Sequence, residues 1–157
     1  MRATTLRGED ELIGQSADPN KRRLTREQAV ELLSRPLVGV FSSLDEGGWI
    51  HSVPVHFLYA DAVVCFLAGS QDVKTHNVER TGHGTLCVQV TEGSRRSYVS
   101  LAGPVTVQRP PDVGRLRALD EKYRRGDFAE GWDDDSLSSA VMVVLSPQRW
   151  IAWADWD

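Results

Sequence analysis

"VGVFSSLDEGGWIHSVPVHFLYADAVVCFLAGSQDVKTHNVER" (residues 38–80) decides how this chain is read. It holds three apolar segments separated by short turns. Residues 37–45 read as a strand that stops at Asp-Glu-Gly-Gly. Residues 49–59 follow with rough alternation, Ile50, Val53, Val55 and Phe57 against His51, Pro54 and His56. A tight connection at Ala60-Asp61 leads into the apolar run 62–68. The spacing predicts a three-stranded meander. The period then changes, and residues 70–82 read as a helix broken by Gly82 and Gly84.

Working outward, residues 25–36 predict a helix. Thr25 and Gln28 stand at capping-box spacing, Ala29, Leu32 and Leu33 make one apolar face, and Pro36 stops it. Residues 85–93 and 96–109 predict two more strands, with Gly103-Pro104 marking a bulge or an edge in the second. Val113, Leu116, Leu119 and Tyr123 recur at helical spacing within 110–126. Residues 127–136 form an acidic loop, and 139–157 close the chain as one or two strands. The expectation is a mainly β domain with three helices, built as an antiparallel barrel of six or seven strands. Residues 1–23, polar and aperiodic, are expected to be a mobile arm, and residues 24–157 a single domain.

Bulk properties exclude several classes. The net charge of -4 lacks the basic footprint of a nucleic-acid binder. No apolar run is long enough for a membrane span, so a cytoplasmic protein is expected. Cys65 and Cys87 sit inside apolar runs and read as buried small hydrophobes. The four histidines, His51, His56, His76 and His83, show no zinc spacing, so no metal is expected. No G-x-S-x-G elbow is present.

Three places could carry chemistry. At residues 66–80 a strand feeds a helix through Gly69-Ser70. Free N–H groups at a helix start favour an anion, and Lys74 would add charge, with Ser70 as cap or contact. An ordinary capped surface helix fits the same letters, and Asp72 puts a negative charge in the turn. Val53-Pro54-Val55 reads either as an apolar wall for a flat ring or as an edge strand. Trp150, Trp153 and Trp156 either meet a partner subunit or close the barrel of their own chain.

Taken together, these pieces resemble the pyridoxamine 5'-phosphate oxidase-like split-barrel superfamily over residues 25–155. The carrying motifs are the D-x-x-G turn, the V-P-V strand, the hairpin, and a helix of the form K-x-x-N-V followed by Arg, here Lys74, Asn77, Val78 and Arg80. The resemblance implies a homodimeric split β-barrel with a flavin-type cofactor, FMN or the deazaflavin F-420, at the subunit interface. Val53, Pro54 and Val55 would line the ring, with Leu67 and Ala68 beside it. Lys74, with Ser70 and Asn77, would meet the phosphate. His51, Trp150 and Trp153 would face substrate or the partner chain. Where many members carry an arginine just before the lysine, this chain has Asp72 and Val73. The Arg-rich C-terminal substrate motif of true pyridoxamine phosphate oxidases is absent, so vitamin B6 oxidation is not expected. Fifteen arginines against three lysines lean toward the deazaflavin. The implied function is an oxidoreductase moving a hydride between the cofactor and a small conjugated organic substrate. A non-catalytic split barrel binding a small ligand or heme is the alternative.

Overall fold

The expected three-stranded meander forms as two separate hairpins at opposite ends of the sheet. β2 (Val38–Leu44) and β3 (Ile50–His56) pair antiparallel from Val38↔His56 to Leu44↔Ile50. Asp45 closes the hairpin by accepting the Trp49 N–H on its carboxylate at 2.9 Å. Gly48 supplies the left-handed residue the turn needs, with φ 83°, a region glycine enters without steric cost. Before the meander lies α1 (Arg26–Ser34), whose capping box is complete. Gln28 N–H donates to Thr25 Oγ1 at 3.2 Å, and Thr25 N–H donates to Gln28 Oε1 at 2.9 Å.

The computed structural model describes residues 21–123 and 134–155. Most of the expected arm, most of the acidic loop and Trp156 lie outside them. After β3 come β4 (Leu58–Ala60), β5 (Val63–Gly69), α2 (Val73–Thr81), β6 (His83–Glu92) and β7 (Arg95–Gln108). Then follow α3 (Val113–Tyr123), α4 (Asp134–Ser138), β8 (Ala140–Leu145) and β9 (Arg149–Asp155). All strand pairs are antiparallel, in the order β3-β2-β6-β7-β8-β5-β4. Lys21–Arg23, the end of the expected arm, form β1 on the edge of β9. The strand count among the described residues is nine against the six or seven expected, because short β1 and β4 were not separable by pattern.

β8 and β9 diverge at one place along β7, and Gly103 marks it. β7 keeps β6 on one flank along 95–104. On its other flank it meets β9 along 96–102 and β8 along 105–108. β8 and β9 are therefore one rail laid against β7, interrupted at 146–148. The interruption is pinned by Ser146 N–H to Pro104 O and Gln148 N–H to Ala102 O, both 2.9 Å. Beyond it β8 turns to pair with β5, while β9 turns to pair with β1. Gly103-Pro104 is thus a sheet-switching point rather than a bulge.

Inside the barrel Phe41, Phe57, Phe66, Leu86, Leu101 and Leu145 are fully buried, and α1 closes one end with Leu32 and Leu33. A second cluster fills the space between the β5–β8 pair and α3, from Cys65, Met142 and Val144 to Leu116 and Leu119.

The single strand expected over 49–59 is two, broken at buried Phe57, where the chain leaves β2 to join β5. Backbone groups freed by the break are collected by the end of α3. Phe57 N–H donates to Tyr123 Oη at 3.0 Å, and that hydroxyl donates to Leu37 O at 2.8 Å. Lys122 Nζ donates to Leu33 O at 2.9 Å and to Phe57 O at 2.7 Å. The same ammonium lies 3.7 Å from the Phe57 ring centroid, within reach of its π face. Burial pushes this ammonium down to about 8. Tyr123→Phe keeps the ring and removes the bonds. It should cost about 1–3 kcal/mol, the range for orphaning a buried backbone group, as read by urea denaturation.

Candidate functional site

The pleat separates residues that the sequence places side by side. On β3, Val53 and Val55 turn inward and pack on the core, while Pro54 is exposed on the outer face. On β5, Ala68 enters the barrel core and Leu67 packs under α3. The five side chains therefore do not form one wall. What β3 and β5 hold in common is backbone. Among the described residues β3 pairs with β2 alone, and β4 covers only residues 63–65 of β5. β3 and β5 come near each other, and the unpaired gap between the two ends of the sheet is the split of the barrel. Edge N–H and C=O groups that no neighbouring strand takes, on β3 and on residues 66–68 of β5, are donors and acceptors for a flat heteroatom-bearing ring.

At the end of the β5 edge the chain turns into α2. This helix starts at Val73, so its N-cap is Asp72 and not Ser70. Ser70 instead donates its N–H to Ser139 O at 2.8 Å, which ties the turn to the start of β8. Asp72 makes no side-chain capping bond to the backbone of the helix it precedes. Its Oδ2 accepts Gly69 N–H at 2.9 Å and Lys74 Nζ at 2.6 Å. The Lys74 ammonium, and then the Gly69 N–H, hold the Asp72 carboxyl below the usual carboxylate range. Thr75 Oγ1 donates to Gly69 O at 2.8 Å and closes the turn.

Asn77 is buried, and its amide donates to Ser43 Oγ on β2 at 3.1 Å. Its carboxamide ties α2 to the barrel and is not turned toward the Lys74 end. His51 is half-buried opposite Ser43, at the same mouth of the barrel. Trp150 and Trp153 are covered by their own chain. Trp150 lies in the core with the Arg26 guanidinium 3.4 Å from its ring centroid. Trp153 is 8% exposed, with Arg23 of β1 5.6 Å from its ring centroid. Both cations stand at cation–π range. Neither ring is left for a partner or a substrate, because α1 and β1 supply the cover.

The sequence reading missed a second recess. A cleft of about 510 Å³ lies at the far end of α2. By helix rise that end is about 10 Å from Lys74. Ser42, Thr85 and Ala102 lie on its wall, with His83 and Arg149. His83 Nδ1 lies 2.9 Å from Thr81 O, so Nδ1 carries the proton in this geometry and Nε2 is the free nitrogen. The only signal for His83 was its place between two glycines. Among the described residues no group of three His, Cys, Asp or Glu side chains could hold a metal, and no helix is long and apolar enough to cross a membrane.

Residues 25–154 match the pyridoxamine 5'-phosphate oxidase family. The chain belongs to this family. The open edges, the Asp72–Lys74 turn and α2 all fall within the matched segment, whereas β1 precedes it. No curated protein matches the chain. Solved structures share the split-barrel fold of the pyridoxamine 5'-phosphate oxidase family. An F420 reductase superposes with TM-score 0.62 at 18% identity, covering 76% of this chain and 93% of that one. An FAD-binding protein from Mesorhizobium loti gives 0.65 at 15% identity, covering 87% and 99%. A conserved hypothetical protein from Mycobacterium tuberculosis gives 0.71 at 13% identity, covering 88% and 89%. At these identities the likeness is one of fold.

Proposed function

We propose that the chain is an oxidoreductase that binds a flavin-type cofactor, FMN or F-420, across the split and serves a small conjugated organic substrate. The observation that carries this reading is the pair of open strand edges, β3 and residues 66–68 of β5, ending at a donor set of Gly69 N–H and Lys74 Nζ. The edges suit the polar rim of a flat ring. The donor set suits an anion in kind, since the chain's own carboxylate is held there. A bound ring of this class supplies hydride chemistry by itself. The protein's part is then to hold and orient the ring and to keep water from it. His51, half-buried at the barrel mouth, is the polar side chain assigned to the substrate side.

The reading includes a cytoplasmic homodimer. Val38, Val40, Leu44, Trp49 and Ile50 are large, apolar and exposed, and the first three alternate along the outer face of β2. The outward positions of β2 and β3 hold no acidic or basic chain apart from one imidazole: Val38, Val40, Ser42 and Leu44 face His56, Pro54, Ser52 and Ile50 in register. A two-fold contact sets the same patch against itself, and a patch of this kind can meet its own copy without strong like-charge repulsion.

Titration of the purified protein with FMN and with F-420, followed by absorbance and fluorescence, tests the function. Binding well below about 1 mM is expected, since that limit represents only ~4 kcal/mol. Failure of both cofactors to bind would overturn the oxidoreductase reading. A heme Soret band in the purified protein would replace it with the heme-binding alternative.

A further inference from the structure

Asp72 sits where a cap belongs and does something else. Its backbone is extended, with φ -64 and ψ 146 degrees. An N-cap aspartate in that conformation ordinarily accepts the N–H groups of the first helical turn. Here the carboxylate turns the opposite way, toward β5, and one oxygen takes both the Gly69 N–H and the Lys74 ammonium. Gly69 makes this possible, because a Cβ there would stand 2.8 Å from Asp72 Oδ1. The turn is locked around the arrangement: Asp72 N–H and Thr75 Oγ1 both donate to Gly69 O. Lys74 is drawn in, its side chain only 17% exposed. Arg80, further along the helix, is engaged at Leu44 O, and Glu79 holds Arg109.

We propose that Asp72 is a specificity-determining residue of this seat: its carboxylate stands in for a ligand's phosphate, so the site takes a flavin ring but gains little from a 5'-phosphate. The proposal rests on the flavin reading above. To reach Lys74 and the Gly69 N–H, a phosphate must displace the carboxylate, breaking two charge-assisted bonds. It then faces that carboxylate at close range, and like charges sharing a site repel. The discrimination comes from an introduced repulsive element rather than from a missing attractive one.

FMN and riboflavin share one ring and differ by the phosphate, so their affinity ratio isolates the effect. Fluorescence titration of the wild-type protein should give dissociation constants for the two within about threefold of each other. Asp72→Asn and Asp72→Ser both place favourable N-cap residues at this position, so at least one should fold with an unchanged melting curve. In each folded variant FMN should tighten about tenfold or more while riboflavin shifts by less than about threefold, and the FMN gain should shrink as salt is raised. A wild-type protein that prefers FMN by about thirtyfold, with no gain in the variants, would overturn the role of Asp72 and leave the flavin reading standing. If neither compound binds any of the three proteins, this proposal falls, and the flavin reading falls with it only if F-420 also fails to bind.

Discussion

Gly103→Ala should leave no stably folded protein. The added Cβ would lie 2.1 Å from Ser146 O, 3.0 Å from Gln148 N and 3.1 Å from the Ser146 carbonyl carbon. These are backbone atoms, so no rotamer change relieves the contact. Nor can residues 146–148 back away, because they are bonded to the neighbours of Gly103 on both sides, at Ala102 O and Pro104 O. Moving them lifts β8 off β5 or β9 off β7. The cost should exceed about 4 kcal/mol, a large share of the ~5–15 kcal/mol that holds an ordinary domain together. Soluble yield and the urea midpoint read the outcome. Gly93→Ala is the matched comparison: its φ is +62 degrees but nothing lies within 4 Å of the added Cβ. It should cost only about 1–2 kcal/mol, the left-handed penalty alone. Equal losses in the two variants would show that the crossing at Gly103 is not tight.

Val40→Glu should convert the proposed dimer to monomer while sparing the fold. Val40 is 43% exposed in the chain alone, on the outer face in register with Pro54 and Cys87. Surface substitutions of this kind usually move stability by no more than about 0.5 kcal/mol. In a two-fold contact the new carboxylate enters twice, on a patch that offers no lysine or arginine along β2 and β3. Burying an unpaired charge costs several kcal/mol, so the dimer dissociation constant should rise by about a hundredfold or more. Sedimentation velocity across a concentration series measures this, with the melting curve as control. A wild-type protein that sediments as a monomer, or a variant dimer as tight as wild type, would show that this face is not the contact.

Which features could be read from the letters follows from where their causes lie. α1 was legible because its cap, its apolar stripe and its stop are all local: Thr25, Gln28, Leu32, Leu33 and Pro36. The first hairpin of the expected meander was legible for the same reason, Asp45 and Gly48 sitting in the turn they make. The break at Phe57 was not, since its cause is the end of α3, where Tyr123 and Lys122 arrive from far along the chain. A trace of it exists in Phe57-Leu58, two adjacent apolar residues that interrupt the alternation. Gly103-Pro104 reads as irregular from its letters, but its partner in the irregularity, residues 146–148, has no local signature.

The candidate site divides along the same line. Lys74 was found because a lone lysine after a strand and Gly-Ser stands out. That Asp72 would choose Gly69 and Lys74 over its own helix is a rotamer outcome with no signature in the pattern. Period-two geometry alone separates Val53 and Val55 from Pro54; treating all three as ring contacts came from the resemblance. Trp153 looked available to a partner only while residues 21–23 were assigned to a loose arm.

β1 helps set the smallest intact unit of this protein. β1 lies outside the segment that matches the family, yet Lys21–Arg23 satisfy the free rim of β9 and bring Arg23 over Trp153. A chain trimmed to residue 25 would keep every family feature and acquire a bare β-strand margin beside an uncovered indole, the combination on which sheets from separate molecules adhere. This short stretch of ordinary charged sequence thus acts as the selvedge of the barrel, and the family boundary is not the physical one.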